Sequence, residues 1–153
     1  AYAAHDDTRC EVTLLSGLPG AGKDHWLAAH LPERPVIALD ALRAELGVAP
    51  TDPQGPVIAR ARELARDYLR AGRDFAWNGT NISRELRGQP LALFAAYNAR
   101  VRIVYLEVSE ERLLRQNRER PAAVPEAVYA RLFSRWEVPD LTEAHRLTCV
   151  VSA

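Results

Sequence analysis

Short apolar runs alternate along this chain with stretches in which apolar residues recur every three or four positions. The short runs are rich in β-branched residues and predict strands, whereas the longer period predicts helices. The predicted strands are, in chain order, Glu11–Ser16, Pro35–Leu39, Asp74–Asn78, Arg100–Val108 and Leu147–Val151. This alternation predicts an α/β fold with about five parallel strands and helices on both faces of the sheet.

The clearest predicted helix lies between the second and third strands. Val57, Ala61, Leu64 and Tyr68 fall on one side of it, most of its charged residues fall opposite, and Gly72 marks its end. We interpret its arginines as a solvated face rather than as a nucleic-acid patch.

Prolines divide the other helical stretches. The segment 49–56 is predicted to be a loop that could move over a substrate, and a helix is predicted to begin near Pro90. Helices are also predicted over 110–120, with Ser109 as N-cap, and over 126–136. A proline break separates these two helices.

Composition sets the class of protein. The 153 residues are 48% hydrophobic, which suits one domain at 11–153 preceded by a tail or linker at 1–10. The net charge is zero and the pI is near 7.1, so no global basic field attracts nucleic acid or a membrane. The two cysteines and four histidines show no metal-ligand spacing, and no apolar run is long enough to cross a bilayer. We expect a cytoplasmic protein without a membrane segment.

The run GLPGAGKD, which follows the first predicted strand, resembles a phosphate-binding loop. In GxxxxGK[ST] the glycines let backbone N–H groups surround the phosphates, and the lysine reaches the β and γ oxygens. Lys23 is the only lysine among twenty basic residues. The strand before the run and the helical composition after it support this interpretation. The predicted nucleotide-binding residues here are Gly17, Pro19, Gly20, Ala21, Gly22, Lys23 and Asp24.

A carboxylate follows the second predicted strand. Ligands of open α/β sheets bind at the carboxyl ends of the strands, so Asp40 is placed to face a γ-phosphate and to accept the proton of an attacking hydroxyl. Arg43, one helical turn later, is a candidate ligand for an anionic part of the acceptor. An N-cap aspartate followed by a surface arginine is the structural alternative.

Two positions depart from the usual phosphate-loop pattern. Asp24 replaces the Ser/Thr that contacts the metal, and Asn78 stands where such proteins often place an aspartate that helps to hold magnesium. We interpret the two departures as linked: Asp24 supplies the carboxylate for Mg²⁺, and Asn78 removes a second negative charge. The competing interpretation is that Asp24 repels the phosphates and leaves a module that binds nucleotide without catalysis.

An arginine cluster precedes the proline break between the helices predicted over 110–120 and 126–136. Arg115, Arg118 and Arg120 are candidates for a helical lid that closes over the transferring phosphoryl group, whereas Arg112 is interpreted as solvated.

Taken together, these motifs resemble the polynucleotide 5′-kinase family of P-loop phosphotransferases. The resemblance rests on GLPGAGKD, on the Asp40 and Arg43 pair, on Gly79-Thr80-Asn81 and on the arginines before Val124-Pro125-Glu126. It implies a P-loop NTPase fold with a helical lid, an ATP or GTP donor with Mg²⁺ or Mn²⁺, and a 5′-hydroxyl RNA or DNA acceptor in end healing.

The resemblance also implies roles for individual residues. Lys23 would bind the β and γ phosphates, Asp40 would act as general base, Arg43 would hold the acceptor strand, and Arg118 and Arg120 would belong to the lid. Separately from the resemblance, the places of Arg43, Arg73, Arg84 and Arg87 around the second and third predicted strands suggest a basic groove for the acceptor. The predicted acceptor contacts are Arg43, Thr80, Asn81, Arg84 and Arg87.

The amino-acid sequence of these motifs is most similar to that of kinase modules that some bacteria join to an HD-type phosphohydrolase. Because the chain also lacks a start methionine, we expect it to be part of a longer polypeptide.

Two other functions remain open at the level of sequence. The neutral charge and compact size also suit a kinase for a small hydroxyl-bearing metabolite or antibiotic. Asp24 and Asn78 also suit a nucleotide sensor without catalysis.

Overall fold

The structure, a computed structural model, describes residues 8–119 and 124–152. Within these residues the strands form one sheet in the order β2-β3-β1-β4-β5, and every neighbouring pair is parallel. The strands are β1 (Glu11–Ser16), β2 (Val36–Ala38), β3 (Phe75–Asn78), β4 (Arg100–Val108) and β5 (Arg146–Ser152). The predicted α/β fold with a parallel sheet is confirmed.

Helices follow the strands on both sides of this sheet. The helices in the described ranges are α1 (Lys23–His30), α2 (Leu39–Leu46), α3 (Gly55–Ala71), α4 (Arg84–Ala96), α5 (Glu110–Arg118) and α6 (Glu126–Ser134). No helix in the described part of the chain is long and apolar enough to cross a membrane.

The core has two clusters because strand side chains alternate between the two faces of the sheet. Leu14 packs with Phe94 of α4 on one face. Leu15, the next residue, packs on the other face with Trp26 of α1 and Tyr129 of α6. The register places Leu15 opposite Asn78, so the ends of β1 and β3 lie side by side. The segments after these strands therefore meet at one edge of the sheet, where ligands of such folds bind.

The second strand is shorter than the sequence predicts. It ends at Ala38, and α2 begins at Leu39, so Asp40 lies in the first turn of a helix instead of at a strand end. An acidic side chain is favourable there because the first turn carries the positive end of the helix dipole. Ala38, not Asp40, is the N-cap residue.

The predicted helix start near Pro90 is wrong. α4 begins at Arg84, where Ser83 Oγ accepts a hydrogen bond from the backbone N–H of Leu86 at 3.2 Å, and the helix continues through Pro90. Pro90 has no N–H for the carbonyl of Leu86, but it is buried, and the cap at Ser83 fixes the first turn of the helix. The predicted 49–56 loop is also shorter, because α3 already begins at Gly55.

The C-terminal segment 137–143 is held against the start of α4. The N–H of Glu137 donates to the carbonyl of Ile82 at 2.6 Å, and Arg84 donates to Asp140 at 2.5 Å. Hydrogen bonds from Thr142, and then the Arg84 guanidinium, lower the pKa of Asp140 to about 2. The same ion pair raises the pKa of Arg84.

Arg87 is the buried anchor of this segment. Its side chain is 0% exposed, and its Nε donates to Glu143, itself 6% exposed, at 2.8 Å. A second nitrogen donates to the carbonyl of Asn81 at 2.9 Å. The prediction that Arg87 contacts an acceptor is therefore wrong, since its guanidinium is enclosed and already paired.

Candidate active site

The phosphate loop connects β1 to α1. Gly20 and Gly22 have positive φ angles of 87° and 96°, a region that side chains with a Cβ rarely enter. Lys23 is the first residue of α1, and its Nζ donates to the carbonyls of Gly17 at 2.6 Å and Leu18 at 3.3 Å. The ammonium is therefore held at the loop by backbone oxygens that phosphate oxygens can replace.

Asp24 and Asn78, the two residues that depart from the phosphate-loop pattern, contact each other in the structure. Asn78 Nδ2 donates to Asp24 Oδ1 at 2.6 Å, which joins the first turn of α1 to the end of β3. A carboxylate on the helix thus faces an amide on the strand. This contact gives the suggested link between the two positions a physical basis.

The oxygens at this contact fit a magnesium ion. Asn78 is 7% exposed, and its Oδ1 has no hydrogen-bond partner among the described residues. Magnesium prefers oxygen ligands and is often held by one or two carboxylates together with substrate phosphates. The described residues contain no group of three or more His, Cys, Asp or Glu that could hold an ion by themselves. An ion here would therefore need phosphate oxygens of a nucleotide as further ligands.

The predicted general base, Asp40, is paired with Arg43 in the structure. Arg43 donates to Asp40 Oδ1 at 3.0 Å across one turn of α2, and Asp40 is 82% exposed. Arg43 Nε also donates to Gln54 Oε1 at 3.0 Å. Gln54 in turn donates to the carbonyls of Asp52 and Ala49 at 2.6 and 3.0 Å. The loop before α3 is thereby tied to the guanidinium that holds Asp40.

A cavity of about 220 Å³ opens beside this pair, and we call it the acceptor cavity. Its wall is largely apolar, with polar groups from α2, α3, α4 and the end of β3. The lining residues are Leu39, Arg43, Gln54, Val57, Ile58, Arg62, Trp77, Thr80, Asn81, Leu86, Gln89 and Pro90. A concave apolar wall with a few polar groups is typical of a small-ligand site.

Thr80 and Asn81 connect the acceptor cavity to the phosphate loop. The N–H of Gly17 donates to the carbonyl of Thr80 at 2.9 Å. Asn81, with a φ of 44°, donates from Nδ2 to the carbonyl of Leu15 at 2.7 Å, and its own carbonyl accepts from Ser16 Oγ at 2.8 Å. Both predicted residues lie at the cavity, but the Asn81 amide donor is already used to join β1 to the loop after β3.

Arg84 does not line the acceptor cavity. It is 52% exposed and paired with Asp140, and Arg87 is buried, so the structure does not assemble the predicted basic groove for the acceptor. Of the predicted acceptor residues, Arg43, Thr80 and Asn81 line the acceptor cavity.

The predicted lid arginines are not gathered at the phosphate loop in this structure. A Cβ added to Gly20 would meet the backbone of α5 at Leu113 and Asn117, which identifies the side of α5 that faces the loop. Since residues advance by about 100° in a helix, Arg115 and Arg118 lie on other sides of α5. They line a separate cavity of about 540 Å³, and Arg118 pairs with Glu126 at 3.5 Å. Arg120 lies outside the described residues.

Sequence reasoning missed the side chains of α5 and α6 that contact the phosphate loop. Tyr129 of α6 donates from its hydroxyl to the carbonyl of Pro19. Gln116, with its amide nitrogen towards the loop, donates to the carbonyl of Gly20 at 2.5 Å and accepts from Arg112 Nε at 3.0 Å. Arg112, interpreted as solvated, is thus connected to the loop through Gln116. A tyrosine at a buried helical position was a weak signal, because apolar packing explains it equally well.

We expect Tyr129→Phe to weaken nucleotide binding about fivefold, because one hydrogen bond that fixes the loop backbone contributes about 1 kcal/mol. The aromatic ring, which is 1% exposed, would stay packed. Titration with ADP measures the effect. Tyr68→Phe, on α3, is the control and should not change the affinity. An unchanged ADP affinity in Tyr129→Phe would mean that the loop keeps its shape without this bond.

The fold and the site together define a class: a nucleotide-binding P-loop domain of the kinase-like type. The chain belongs to the AAA domain family, whose model matches residues 12–139.

Solved structures share this fold. A protein from Chloroflexus aurantiacus j-10-fl, provisionally classed as a kinase, has a TM-score of 0.74 at 18% identity, over 95% of this chain and 86% of that chain. A gluconokinase from Sinorhizobium meliloti 1021 has a TM-score of 0.65 at 20% identity, over 95% and 85%. A chain of the Pnkp1/Rnl/Hen1 complex has a TM-score of 0.64 at 14% identity, over 75% of this chain and 40% of that chain.

Proposed function

We propose that this protein is a polynucleotide 5′-hydroxyl kinase. It would transfer the γ-phosphoryl group of ATP or GTP to the 5′-hydroxyl of RNA or DNA in the healing of nucleic-acid ends. The observation that supports the proposal is the Asp40 and Arg43 pair, joined at 3.0 Å, of which Arg43 lines the acceptor cavity. Through Thr80 the same cavity reaches the phosphate loop. The candidate base and the phosphate loop are thus each connected to one cavity, Asp40 through its contact with Arg43 and Gly17 through its contact with Thr80.

The chemistry follows from these positions. The 5′-oxygen forms a bond to the γ-phosphorus, the bond from that phosphorus to the bridging oxygen breaks, and the hydroxyl proton passes to the Asp40 carboxylate. Arg43 binds the phosphate next to the reacting sugar while it holds Asp40. Lys23 exchanges the carbonyls of Gly17 and Leu18 for the β and γ oxygens of the donor.

A magnesium ion, when bound, would neutralise charge on the β and γ phosphates. Asp24 and Asn78 are the residues that would hold it. The Asn78 amide, which donates to Asp24 at 2.6 Å, fixes the direction of that carboxylate.

The partner implied by this function is a nucleic acid with a free 5′-hydroxyl. A phosphohydrolase domain in the same longer polypeptide is a further proposal, and it rests on the sequence resemblance.

A small-molecule kinase is the second candidate. It is favoured by the burial of Arg87 and by the pairing of Arg84, because the predicted basic groove for an acceptor strand is not formed. The zero net charge and the modest cavity suit it as well. One similar fold belongs to a gluconokinase. The identity of the acceptor separates the two functions.

We expect the wild-type chain, with Mg²⁺ and γ-labelled nucleotide, to label an oligonucleotide that carries a 5′-hydroxyl. Asp40→Asn should lower kcat by about 10²-fold, since it removes a general base and keeps the shape of the side chain. Nucleotide affinity should stay the same. Glu45→Gln, an exposed change on the same helix, is the matched control and should keep full activity.

Two outcomes would contradict the proposal. Wild-type protein that binds nucleotide but labels only small metabolites would favour the second candidate. Label on the oligonucleotide that persists at the wild-type rate in Asp40→Asn would remove Asp40 from the role of base.

A further inference from the structure

One charged side chain that lines the acceptor cavity, Arg62, has no role in the proposed reaction. Arg62 of α3 lines the cavity together with Ile58, one helical turn before it, and with Arg43 of α2. Sequence patterning assigns the arginines of α3 to a solvated face. The structure places this one differently from its neighbours.

Arg62 is half-buried and makes no hydrogen bond or ion pair with the described residues. Arg60, two positions earlier on the same helix, pairs with Glu63 at 3.2 Å and does not line the cavity. A guanidinium that is partly removed from water is stabilised by an anion or by hydrogen-bond acceptors. The cavity therefore holds positive charge for which no carboxylate partner exists among the residues described.

Arg43 differs from Arg62 in this respect. Its guanidinium already contacts Asp40 and Gln54, each at 3.0 Å. Its task in the proposed reaction is to hold the base and the phosphate beside the reacting hydroxyl. Arg62 is thus the cavity guanidinium without a protein partner in the described part of the chain.

We propose that Arg62 binds the second phosphate of the acceptor strand and so makes the enzyme select strands over mononucleotides. This inference rests on the proposed function. Arg43 takes the first phosphate on the 3′ side of the reacting sugar, and Arg62 takes the next one. The apolar wall between them, which includes Leu39 and Ile58, covers the intervening nucleoside. A bidentate guanidinium contact to a phosphate gives geometric selectivity as well as affinity.

The test uses two acceptors with a free 5′-hydroxyl. One is a nucleoside 3′-monophosphate, with one phosphate, and the other is a dinucleotide 3′-phosphate, with two. Wild-type protein should use the dinucleotide with about tenfold higher kcat/KM, the size of effect expected from one charge-assisted hydrogen bond. In Arg62→Gln the ratio between the two acceptors should fall to about one, with the change in KM rather than in kcat.

Two further variants complete the experiment. Arg62→Lys should restore part of the ratio, because it returns the charge without the planar fork. Arg60→Gln is the matched control on the same helix and should keep the wild-type ratio. With longer oligonucleotides, the dependence of log affinity on log salt should become shallower by about one in Arg62→Gln. Thermal unfolding of each variant shows whether its fold is intact.

The outcomes separate this inference from the function on which it rests. Absence of transfer from wild-type protein to any nucleotide acceptor would overturn the proposed function, and the inference with it. Wild-type protein that uses both acceptors equally would overturn the role of Arg62 and leave the kinase in place. A tenfold ratio that persists in Arg62→Gln would do the same.

Discussion

Arg87→Ala is expected to lower the free energy of unfolding by about 3–5 kcal/mol. Arg87 is 0% exposed, and its partner Glu143 is 6% exposed, so the variant leaves a buried carboxylate whose remaining cation is the half-exposed Arg84 at 4.0 Å. It also leaves the carbonyl of Asn81 without the guanidinium donor that contacts it at 2.9 Å. Domains of this size are stable by only about 5–15 kcal/mol, so a large part of the total would be lost.

Urea unfolding followed by circular dichroism measures this effect. The matched control is Arg84→Ala, which removes the neighbouring ion pair to Asp140, where both side chains are about half exposed. Its unfolding midpoint should change little, because water replaces the lost contacts. The contrast between two arginines three positions apart then reports burial rather than charge.

A double variant tests the cause. Arg87→Met with Glu143→Leu removes both charges and fills the space with apolar groups, so it should regain most of the stability lost in Arg87→Ala. If Arg87→Ala unfolds at the same urea concentration as the wild type, the segment 137–143 is not held by this pair.

The wrong prediction that Arg87 contacts an acceptor has a physical cause. An arginine shortly after a strand end suits an acceptor site, and its role depends on a partner 56 positions away. Local pattern carries no information about such a pair. The strand β4, in contrast, is predicted to the residue at Arg100–Val108, because a long apolar run in the sheet interior depends on local composition.

The phosphate loop was predictable for a similar reason. Its glycines, Lys23 and the flanking elements are adjacent in sequence, and the structure places Gly20 and Gly22 at positive φ as the motif requires. The contacts from Tyr129 and Gln116 were not predictable, since they reach the loop from helices about 100 positions later. Arg62 was also missed, because the periodicity of α3 separates apolar from polar faces but does not identify a polar residue at the edge of a cavity.

The second large effect is expected at the Asp24 and Asn78 pair. Asp24→Ser should lower kcat/KM by about 10²- to 10³-fold, because the Mg²⁺ that this carboxylate is proposed to hold would contribute several kcal/mol of charge stabilisation. It should also weaken the binding of Mn²⁺ to the complex with ADP, which electron paramagnetic resonance measures without turnover. Asn78→Asp should also have a lower kcat/KM. It adds a carboxylate instead of removing one, and the two carboxylates would then face each other at the 2.6 Å contact.

The double variant Asp24→Ser with Asn78→Asp restores the usual arrangement, with a hydroxyl on the helix and a carboxylate on the strand. The wild-type pair carries one negative charge, and so does this exchanged pair. We therefore expect the double variant to recover at least tenfold in activity, and a corresponding part of the Mn²⁺ affinity, over Asp24→Ser alone. Such recovery is a coupling between neighbours, which independent sites would not show.

The competing interpretation of Asp24 makes the opposite prediction. If the carboxylate repels the γ-phosphate and prevents catalysis, Asp24→Ser alone should raise turnover and tighten nucleotide binding, because it removes a like charge. Asn78→Ser tests the amide itself, since it removes both the Nδ2 that donates to Asp24 and the Oδ1 that is unpaired among the described residues, and it adds no charge. A fall in activity in that variant, with Asp24 intact, would show that the Asn78 amide is needed as well as the Asp24 carboxylate. The amide would then be part of the proposed metal site.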